Sequence, residues 1–261
     1  MIVIKYGGHA MTDKNGIFSQ AIAKAIANGV ELVIVHGGGP QVDVALKREK
    51  IATQSIGGFR VTTPEIFEVV EKVLSGEVGP MVVSALHSVG VRAQAVSGMK
   101  SKTLFAKKLK TLVDGTPVDL GLAGEIVRVE TSFINSLLSN GITPVVSPTS
   151  NNEYGEGGLN VNGDISAAAI AGALGADALI IMTDVEGIYR SWPDKSSLIS
   201  QISATELESL ISTFEEGMAP KVKACLDAVE RGALAVRIID GTNPDALSHA
   251  LAGTGGTLVT K

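Results

Sequence analysis

Short apolar runs alternate along most of the chain with longer segments of helical periodicity, and this alternation limits the choice of fold more than any other feature. The apolar runs are rich in valine and isoleucine and include MIVIK (1–5), ELVIVH (31–36), ITPVVSP (142–148), DALIIMT (177–183) and LAVRIID (234–240). Strands separated by helices of about 10–15 residues are typical of βαβ units. The sequence therefore predicts an α/β fold, a three-layer α/β/α sandwich around a mostly parallel central sheet.

The region between residues 93 and 130 departs from this alternation. Short strand-like runs and turns extend there from AQAVSG (93–98) to GLAGEIVRVE (121–130). Strands joined by turns without intervening helices favour antiparallel pairing. We therefore expect an antiparallel excursion from the main sheet in this region.

Size and charge exclude several classes of protein. With 261 residues, 45% of them hydrophobic, the chain is expected to form one domain, 1–261, with lobes at 1–160 and 161–261. The net charge is −5 and basic residues are dispersed, so neither nucleic acid nor a membrane is expected as a partner.

The single cysteine, Cys225, excludes an internal disulfide. Without a secretion signal or an apolar run of roughly 18 residues, the chain is predicted to be cytoplasmic.

A glycine-rich loop follows the first predicted strand. Lys5 closes that strand, and Gly7 and Gly8 come directly after it. Glycines let backbone N–H groups approach a ligand without Cβ atoms in the way. In a parallel sheet, ligands bind at the carboxyl ends of the strands, which is where this loop lies. The alternative is a strand-terminal lysine before a simple glycine turn.

A second glycine-rich loop, HGGGPQ (36–41), ends the second predicted strand. Gly38 and Gly39 precede a helix that Pro40 opens from its first turn. Consecutive N–H groups at the positive end of a helix form an anion site. His36 is expected to pack beneath this loop rather than to perform chemistry.

Three polar side chains lie close together before an alanine-rich helix. Asn160, Asn162 and Asp164 alternate in NVNGD (160–164), and alternation along an extended segment places them on one side. Asp164 is therefore a candidate functional residue. The alternative is that Asp164 serves as the N-cap of the helix.

Two later segments complete the set of candidate loops. TDVEGIY (183–189) ends a strand and turns through Gly187, and in GMAPKVKAC (217–225) Lys221 lies in the first turn of a predicted helix. A cation at the positive end of a helix is electrostatically disfavoured, so its presence indicates an anion nearby.

The common nucleotide-binding and metal-binding motifs are absent from the sequence. Gly-Lys occurs nowhere, which excludes a P-loop, and neither glycine loop contains G-x-G-x-x-G. The HRD and DFG triplets of protein kinases are missing. No cluster of histidine, cysteine, aspartate and glutamate has the spacing of a protein metal site, so any metal is expected to arrive with a nucleotide.

Taken together, the motifs resemble the amino acid kinase family over essentially the whole chain. The segments that carry the resemblance are IKYGGHAM, VIVHGGGPQV, GGFRVTTPE, VDLGLAGEI, NVNGDISAA, TDVEGIY and GMAPKVKACLDA. The resemblance is greatest to the members that act on N-acetyl-L-glutamate. It implies transfer of a phosphoryl group from ATP, with Mg²⁺, to the γ-carboxylate of that acceptor, in the second step of arginine biosynthesis.

The resemblance also implies roles for individual residues. Lys5 and Lys221 would flank the transferring group, and Asp164 would lie between them and hold their ammonium groups. Arg60 and Asn160 would grip the acceptor's other carboxylate. The remaining implied contacts are with the acceptor for Gly38 and Gly39, and with the nucleotide for Gly7, Gly8, Asp184, Gly187, Tyr189 and Met218. The lobe 1–160 would hold the acceptor and the dimer contacts, and 161–261 would hold the nucleotide.

The residue chemistry is consistent with these roles. Phosphoryl transfer requires in-line positioning and neutralisation of spread charge, which two lysines and glycine N–H groups supply. A carboxylate acceptor is already a nucleophile, so no general base is needed and Asp164 is better interpreted as an organiser of the lysines. The planar fork of Arg60 suits a carboxylate.

Two alternative functions remain at this point. One is a sister kinase that acts on aminoadipate or glutamate attached to a carrier protein, and the other is a non-catalytic regulator that binds nucleotide or amino acid. Arginine-inhibited members of the family carry a helix ahead of the first strand, which here starts at Ile2. The expectation is therefore a homodimer that arginine does not inhibit.

Overall fold

The structure is a computed structural model that describes residues 1–7, 11, 13–214 and 218–261. The strands are β1 (Ile2–Tyr6), β2 (Leu32–His36), β3 (Ser55–Ile56), β4 (Phe59–Arg60), β5 (Ala93–Ser97), β6 (Leu104–Lys108), β7 (Ala123–Val129), β8 (Thr143–Ser147), β9 (Thr149–Asn152), β10 (Gly158–Val161), β11 (Ala178–Thr183), β12 (Gln201–Ser203), β13 (Ala235–Asp240) and β14 (Thr257–Thr260). The α-helices are α1 (Ile17–Ala27), α2 (Gly39–Arg48), α3 (Pro64–Val73), α4 (Gly79–Ser88), α5 (Ser132–Ser139), α6 (Gly163–Leu174), α7 (Ala204–Ser209), α8 (Ala219–Glu230) and α9 (Ala246–Leu251). Within these ranges, no helix is both long enough and apolar enough to span a bilayer.

An eight-stranded sheet forms the centre of the molecule, in the order β12-β14-β13-β11-β1-β2-β8-β5. Every neighbouring pair in it is parallel except β13 and β14, which are antiparallel. The prediction of an α/β fold with a mostly parallel sheet is confirmed. The carboxyl ends of β1, β2, β8 and β11 lie at one edge, where parallel strands present their loops together.

The central strands of the sheet, β1, β2, β8 and β11, are buried on both faces, which gives three layers. Alternate residues of β1 show the pattern: Val3 belongs to one hydrophobic cluster with α5, α6 and α8, and Ile4 belongs to a second cluster with α1, α2, α3, α4 and α9. Continuous apolar runs are expected of strands that helices cover on both faces.

The predicted antiparallel excursion is only partly correct. β6 and β7 do pair antiparallel, and with β9 and β10 they close into a small barrel. β5, however, lies in the main sheet and pairs parallel with β8. The reason is that α4 immediately precedes β5 and returns the chain to the amino-terminal ends of the parallel strands, as the helix of a βαβ unit does.

The segment EIFEVVEKVLSGEVGPMVVSALHSVG (65–90) has the sequence pattern of one long helix, but the structure interrupts it with a π-helical turn. Thr63 is the N-cap of α3: its hydroxyl accepts a hydrogen bond from Ile66 N at 3.2 Å, and Thr-Pro-Glu is a sequence typical of a helix start. The π-helical turn, Leu74–Val78, separates α3 from α4. Such turns occur often at functional sites, and this one contacts the second glycine loop.

Candidate active site

The centre of the site is a carboxylate held between two lysines. Lys5 Nζ lies 3.0 Å from Asp164 Oδ1, and Lys221 Nζ lies 2.9 Å from Asp164 Oδ2. The side chain of Asp164 is 3% exposed, and those of Lys5 and Lys221 are 10% and 21% exposed. The fold therefore brings together three residues that are far apart in the sequence, and each lysine occupies its own carboxylate oxygen.

The two cations keep this buried carboxylate ionised. Burial alone would raise the pKa of Asp164, but the charges of Lys5 and Lys221 and their hydrogen bonds outweigh burial and hold that pKa well below its usual range. Burial opposes the charge of Lys221 as well, yet Asp164 raises the pKa of that ammonium above its ordinary value. Asp164 is therefore not a base at neutral pH, and Lys221 is protonated.

Helix α6 positions Asp164. Asn162 is the N-cap, and its side-chain oxygen accepts a hydrogen bond from Asp164 N at 2.7 Å. The suggestion that Asp164 itself caps the helix is wrong, because the shift from strand to helix occurs two residues earlier. Asp164 thus lies in the first turn, where the helix dipole favours a negative charge.

Three glycines surround the end of the Lys5 side chain. A methyl group at Gly7 would lie only 2.5 Å from Lys5 Nζ, so any side chain there would displace the lysine. A methyl group at Gly37 would lie 3.4 Å from Gly7 Cα, and one at Gly163 would lie 3.7 Å from Lys5 Cε. Gly7 is therefore required by the position of Lys5.

Gly38 is required for a different reason. Its φ is +145°, and a methyl group on it would lie 2.5 Å from Cδ2 of Leu74, the first residue of the π-helical turn. At Gly39, in contrast, a methyl group would meet no atom within 4 Å. The glycine loop is thus held at Gly38 by the helix behind it and is open at Gly39.

This difference gives a first prediction. We expect Gly38→Ala to lower the free energy of unfolding by about 2 kcal/mol, because alanine is strained at that φ and contacts Leu74. The matched variant Gly39→Ala should stay within about 0.5 kcal/mol of the wild type, since α2 begins at this residue and the space is open. Urea unfolding of both variants measures the two values. Equal losses in the two variants would contradict this explanation of Gly38.

A cavity of about 310 Å³ opens beside the lysines. Lys5, Lys221, Asp164, Gly38, Gly39, Arg60 and Asn160 all line it. The structure therefore brings together the residues predicted to contact the acceptor and the three residues at the centre of the site. Val42, Phe59, Val70 and Leu74 give the cavity an apolar part.

Residues that the sequence analysis did not single out hold Arg60 and Asn160. Arg60 Nη2 lies 2.7 Å from Asp43 Oδ1, and Nη1 donates to Thr53 Oγ1 at 2.7 Å. Asn160 Nδ2 donates to Thr62 Oγ1 at 3.1 Å. Asp43 lies on α2 and Thr53 in the loop after it, so only the packing of α2 against the β3–β4 hairpin reveals the two contacts of Arg60.

A second cavity, of about 660 Å³, lies on the other side of Lys221. Its lining residues are Thr183, Asp184, Val185, Tyr189, Arg190, Ser191, Trp192, Thr213, Phe214, Met218 and Lys221. Aromatic rings here provide flat apolar surface of the kind that binds a base. Because Lys221 lines both cavities, ligands in the two cavities would meet at its ammonium group.

Among the described residues, two predicted nucleotide contacts, Gly7 and Gly187, do not line this cavity. Gly187 packs instead against β14, where a methyl group on it would lie 3.0 Å from Leu198 Cδ1 and from Thr257 N. The turn after β11 therefore needs a glycine to pass close to the last strand. The prediction for Gly8 lies outside the described residues. Tyr189 does line the cavity, and its hydroxyl donates to Glu186 Oε2 at 2.9 Å.

The arrangement suits the transfer of an anionic group between two small molecules. Two ammonium groups face a shared space, and a carboxylate fixes both without being a proton acceptor itself. Within the described residues, no group of three or more histidine, cysteine, aspartate and glutamate side chains is placed to hold a metal ion. The glycine loops and the lysines fit the phosphates of a nucleotide.

Comparisons with known proteins show which family the chain belongs to. A sequence model of the amino acid kinase family matches residues 1–240. The acetylglutamate kinase of Paenarthrobacter aurescens (strain TC1) is 43% identical over 272 aligned positions, which cover 99% of this chain and 86% of the relative. That of Corynebacterium glutamicum (strain ATCC 13032) is 41% identical over 98% of this chain and 87% of the relative.

A solved structure shows the same architecture. The crystal structure of smu.665 from Streptococcus mutans UA159 superposes with a TM-score of 0.83 at 29% identity and covers 99% of this chain and 98% of its own. The sequence resemblance noted above is thus confirmed over nearly the full length. The chain belongs to the amino acid kinase family and, within it, to the acetylglutamate kinases.

Proposed function

We propose that this protein transfers the γ-phosphoryl group of ATP to the γ-carboxylate of N-acetyl-L-glutamate, in the second step of arginine biosynthesis. The observation that supports it most directly is the Lys5–Asp164–Lys221 arrangement between two cavities, with Lys221 lining both. The relatives at 41–43% identity carry the name acetylglutamate kinase, which supports this choice of acceptor.

The acceptor occupies the cavity of about 310 Å³. Its α-carboxylate binds the Arg60 guanidinium and the Asn160 amide, and its γ-carboxylate points to the glycine loop at Gly38 and Gly39. Asp43 and Thr53 fix the Arg60 fork without lining the cavity themselves, and the N–H groups that they leave unused are available to the acceptor. The apolar residues of the cavity wall accommodate the acetyl group.

ATP occupies the cavity of about 660 Å³, with the base among the side chains near Tyr189 and Met218 and with Asp184 near the ribose and phosphates. A γ-carboxylate oxygen of the acceptor forms the new bond to phosphorus as the bond between phosphorus and the β–γ bridging oxygen breaks, and ADP leaves. The acceptor is already ionised, so no proton moves. Lys5 and Lys221 neutralise the spreading charge. Mg²⁺ supplies charge neutralisation on the phosphates when it arrives bound to ATP.

We further propose that residues 1–160 form the acceptor lobe with the dimer contacts and that residues 161–261 form the nucleotide lobe. The protein is a homodimer, and it is cytoplasmic. Sedimentation velocity measures the oligomeric state directly, and a hexamer would contradict the dimer.

The proposed reaction has a direct assay. With ATP, Mg²⁺ and hydroxylamine, N-acetyl-L-glutamate should give a hydroxamate, because hydroxylamine traps acyl phosphates. A panel of acidic acceptors sets the specificity. Activity on a carrier-linked aminoadipate or glutamate with none on free N-acetylglutamate would favour the sister kinase. A chain that binds ligands but forms no hydroxamate with any acceptor would favour a regulator.

Arg60 allows a test of the acceptor's orientation. We expect Arg60→Ala to raise KM for N-acetylglutamate about 10- to 100-fold and to change kcat only a few-fold, because the lost charged hydrogen bonds contribute in ground and transition states alike. Steady-state hydroxamate rates give both constants. Arg128→Ala is the control, since Arg128 pairs with Glu153 outside both cavities. A large fall in kcat with unchanged KM would contradict the assigned contact.

A further inference from the structure

His36 lies completely buried beneath the second glycine loop. It is the last residue of β2, and its side chain contributes to neither cavity. A methyl group on Gly79, the first residue of α4, would lie 3.3 Å from His36 Nε2. The imidazole is therefore enclosed between β2 and the helix behind the loop, and the proposed reaction as described so far gives it no part.

Both backbone groups of Gly37 are fixed by neighbours. Gly37 N–H donates to Tyr6 O at 2.7 Å, and Gly37 O lies 2.8 Å from His36 Nδ1. The carbonyl oxygen can only accept, so His36 Nδ1 must carry the proton. The loop is thus joined on one side to the end of β1, which carries Lys5, and on the other side to the imidazole.

The ring holds a single proton at neutral pH. Burial lowers the pKa of His36 to about 4, although the hydrogen bond to Gly37 works in the opposite direction. With that proton on Nδ1, the other nitrogen is a bare lone pair. This agrees with its surroundings, because His36 Nε2 has no hydrogen-bond partner within the described part of the chain.

The direction of the next amide follows from peptide geometry. In a trans peptide, the C=O of one residue and the N–H of the next point in opposite directions. Gly37 O points to the buried imidazole, so Gly38 N–H points away from it, and Gly38 is one of the residues that line the acceptor cavity. Among the described residues, none accepts a hydrogen bond from that N–H.

We propose that His36 is a positioning residue for phosphoryl transfer: its Nδ1–H holds the Gly37 carbonyl and thereby aims the Gly38 N–H at the anion in the active site. The inference rests on the proposed function. His36 touches no substrate. It acts through the peptide plane between Gly37 and Gly38. A rigid donor orients that plane before the substrates bind, so the plane does not have to reorient during the reaction.

Two variants separate positioning from packing. Asparagine places an amide N–H close to where His36 Nδ1 lies, whereas leucine fills similar space without a donor. We expect His36→Leu to lower kcat for hydroxamate formation about 10- to 100-fold, somewhat less than complete removal of an oxyanion donor. His36→Asn should retain kcat within about threefold of the wild type. In both variants KM for ATP should stay within about threefold, because the nucleotide cavity lies beyond Lys221.

A spectroscopic measurement tests the same hydrogen bond while His36 itself is unchanged. Long-range ¹H–¹⁵N correlation of the four histidines distinguishes the tautomers. The His36 signals are assigned by elimination with His9→Gln, His87→Gln and His249→Gln. We expect the Nδ1–H tautomer, unchanged between pH 6 and 8.

Each outcome decides the matter. The Nε2–H tautomer, a leucine variant as active as the wild type, or equal losses in the leucine and asparagine variants would overturn the role of His36 and leave the proposed function intact. A wild-type protein that forms no hydroxamate would instead refute the proposed function and, with it, a role for His36 in that reaction.

Discussion

Lys5→Met lowers kcat for acyl-phosphate formation by about three orders of magnitude and leaves the chain folded. Methionine has a similar length but no charge, so the variant removes one of the two cations that line the cavity and that we propose neutralise the transferring group. Lys221→Met should have a comparable effect, because Lys221 lines both cavities. Initial rates in the hydroxamate assay at saturating ATP and N-acetylglutamate measure the loss, and thermal unfolding verifies the fold.

The control for these variants is on the same helix. Lys223→Met removes a lysine two positions after Lys221. Lys223 pairs with Asp227 at 3.2 Å and lines neither ligand cavity. Its kcat should stay within about twofold of the wild type. If either Lys5→Met or Lys221→Met retained kcat within tenfold of the wild type, the central part of the mechanism would be wrong.

Asp164→Asn lowers the free energy of unfolding by about 3–5 kcal/mol. The substitution leaves two buried ammonium groups facing one neutral amide, and an uncompensated buried charge is costly. Denaturant unfolding at pH 7 measures the loss. Glu125→Gln is the control: Lys107 and Glu125 form a partly exposed pair at 3.0 Å, for which a loss below about 1 kcal/mol is expected. Equal losses in both variants would contradict the importance of burial.

The wild type and Asp164→Asn should differ in how their stability depends on acid. The pKa of Asp164 is lowered in the folded state, so its stabilisation is fully present above the unfolded value of about 4 and is lost as the pH falls below it. Wild-type stability should therefore decrease below about pH 4 partly because of this carboxylate. In Asp164→Asn that part of the acid dependence disappears.

Much of the fold could be predicted from local patterns. Apolar runs separated by helical segments favour parallel strands with helices on both faces, and this is the arrangement that the structure has. The closure of β6, β7, β9 and β10 into a barrel could not be predicted, because it depends on strand pairing between distant segments. The position of β5 in the main sheet likewise depends on its pairing with a distant segment, β8, and not on a local pattern.

The site shows the same division. Residue types and resemblance singled out Lys5, Asp164 and Lys221, but only the folded chain shows that each lysine takes a different oxygen of the carboxylate. The contact of Asp43 with Arg60 has no local signal, since a helix and a hairpin must pack before the two side chains meet. Leu74 contacts the glycine loop through a π-helical turn that helical periodicity does not reveal.

The position of β1 beside β11 has a mechanical consequence. The two strands pair in parallel from Ile2 with Ala178 to Lys5 with Ile181, so the segments assigned to the acceptor and to the nucleotide share one continuous hydrogen-bonded sheet. A hinge between them cannot open at a flexible linker without breaking that ladder. Closure around two substrates must therefore use changes in sheet twist or movements of the loops at its edge, while the backbone of Lys5 keeps a fixed distance from the end of β11.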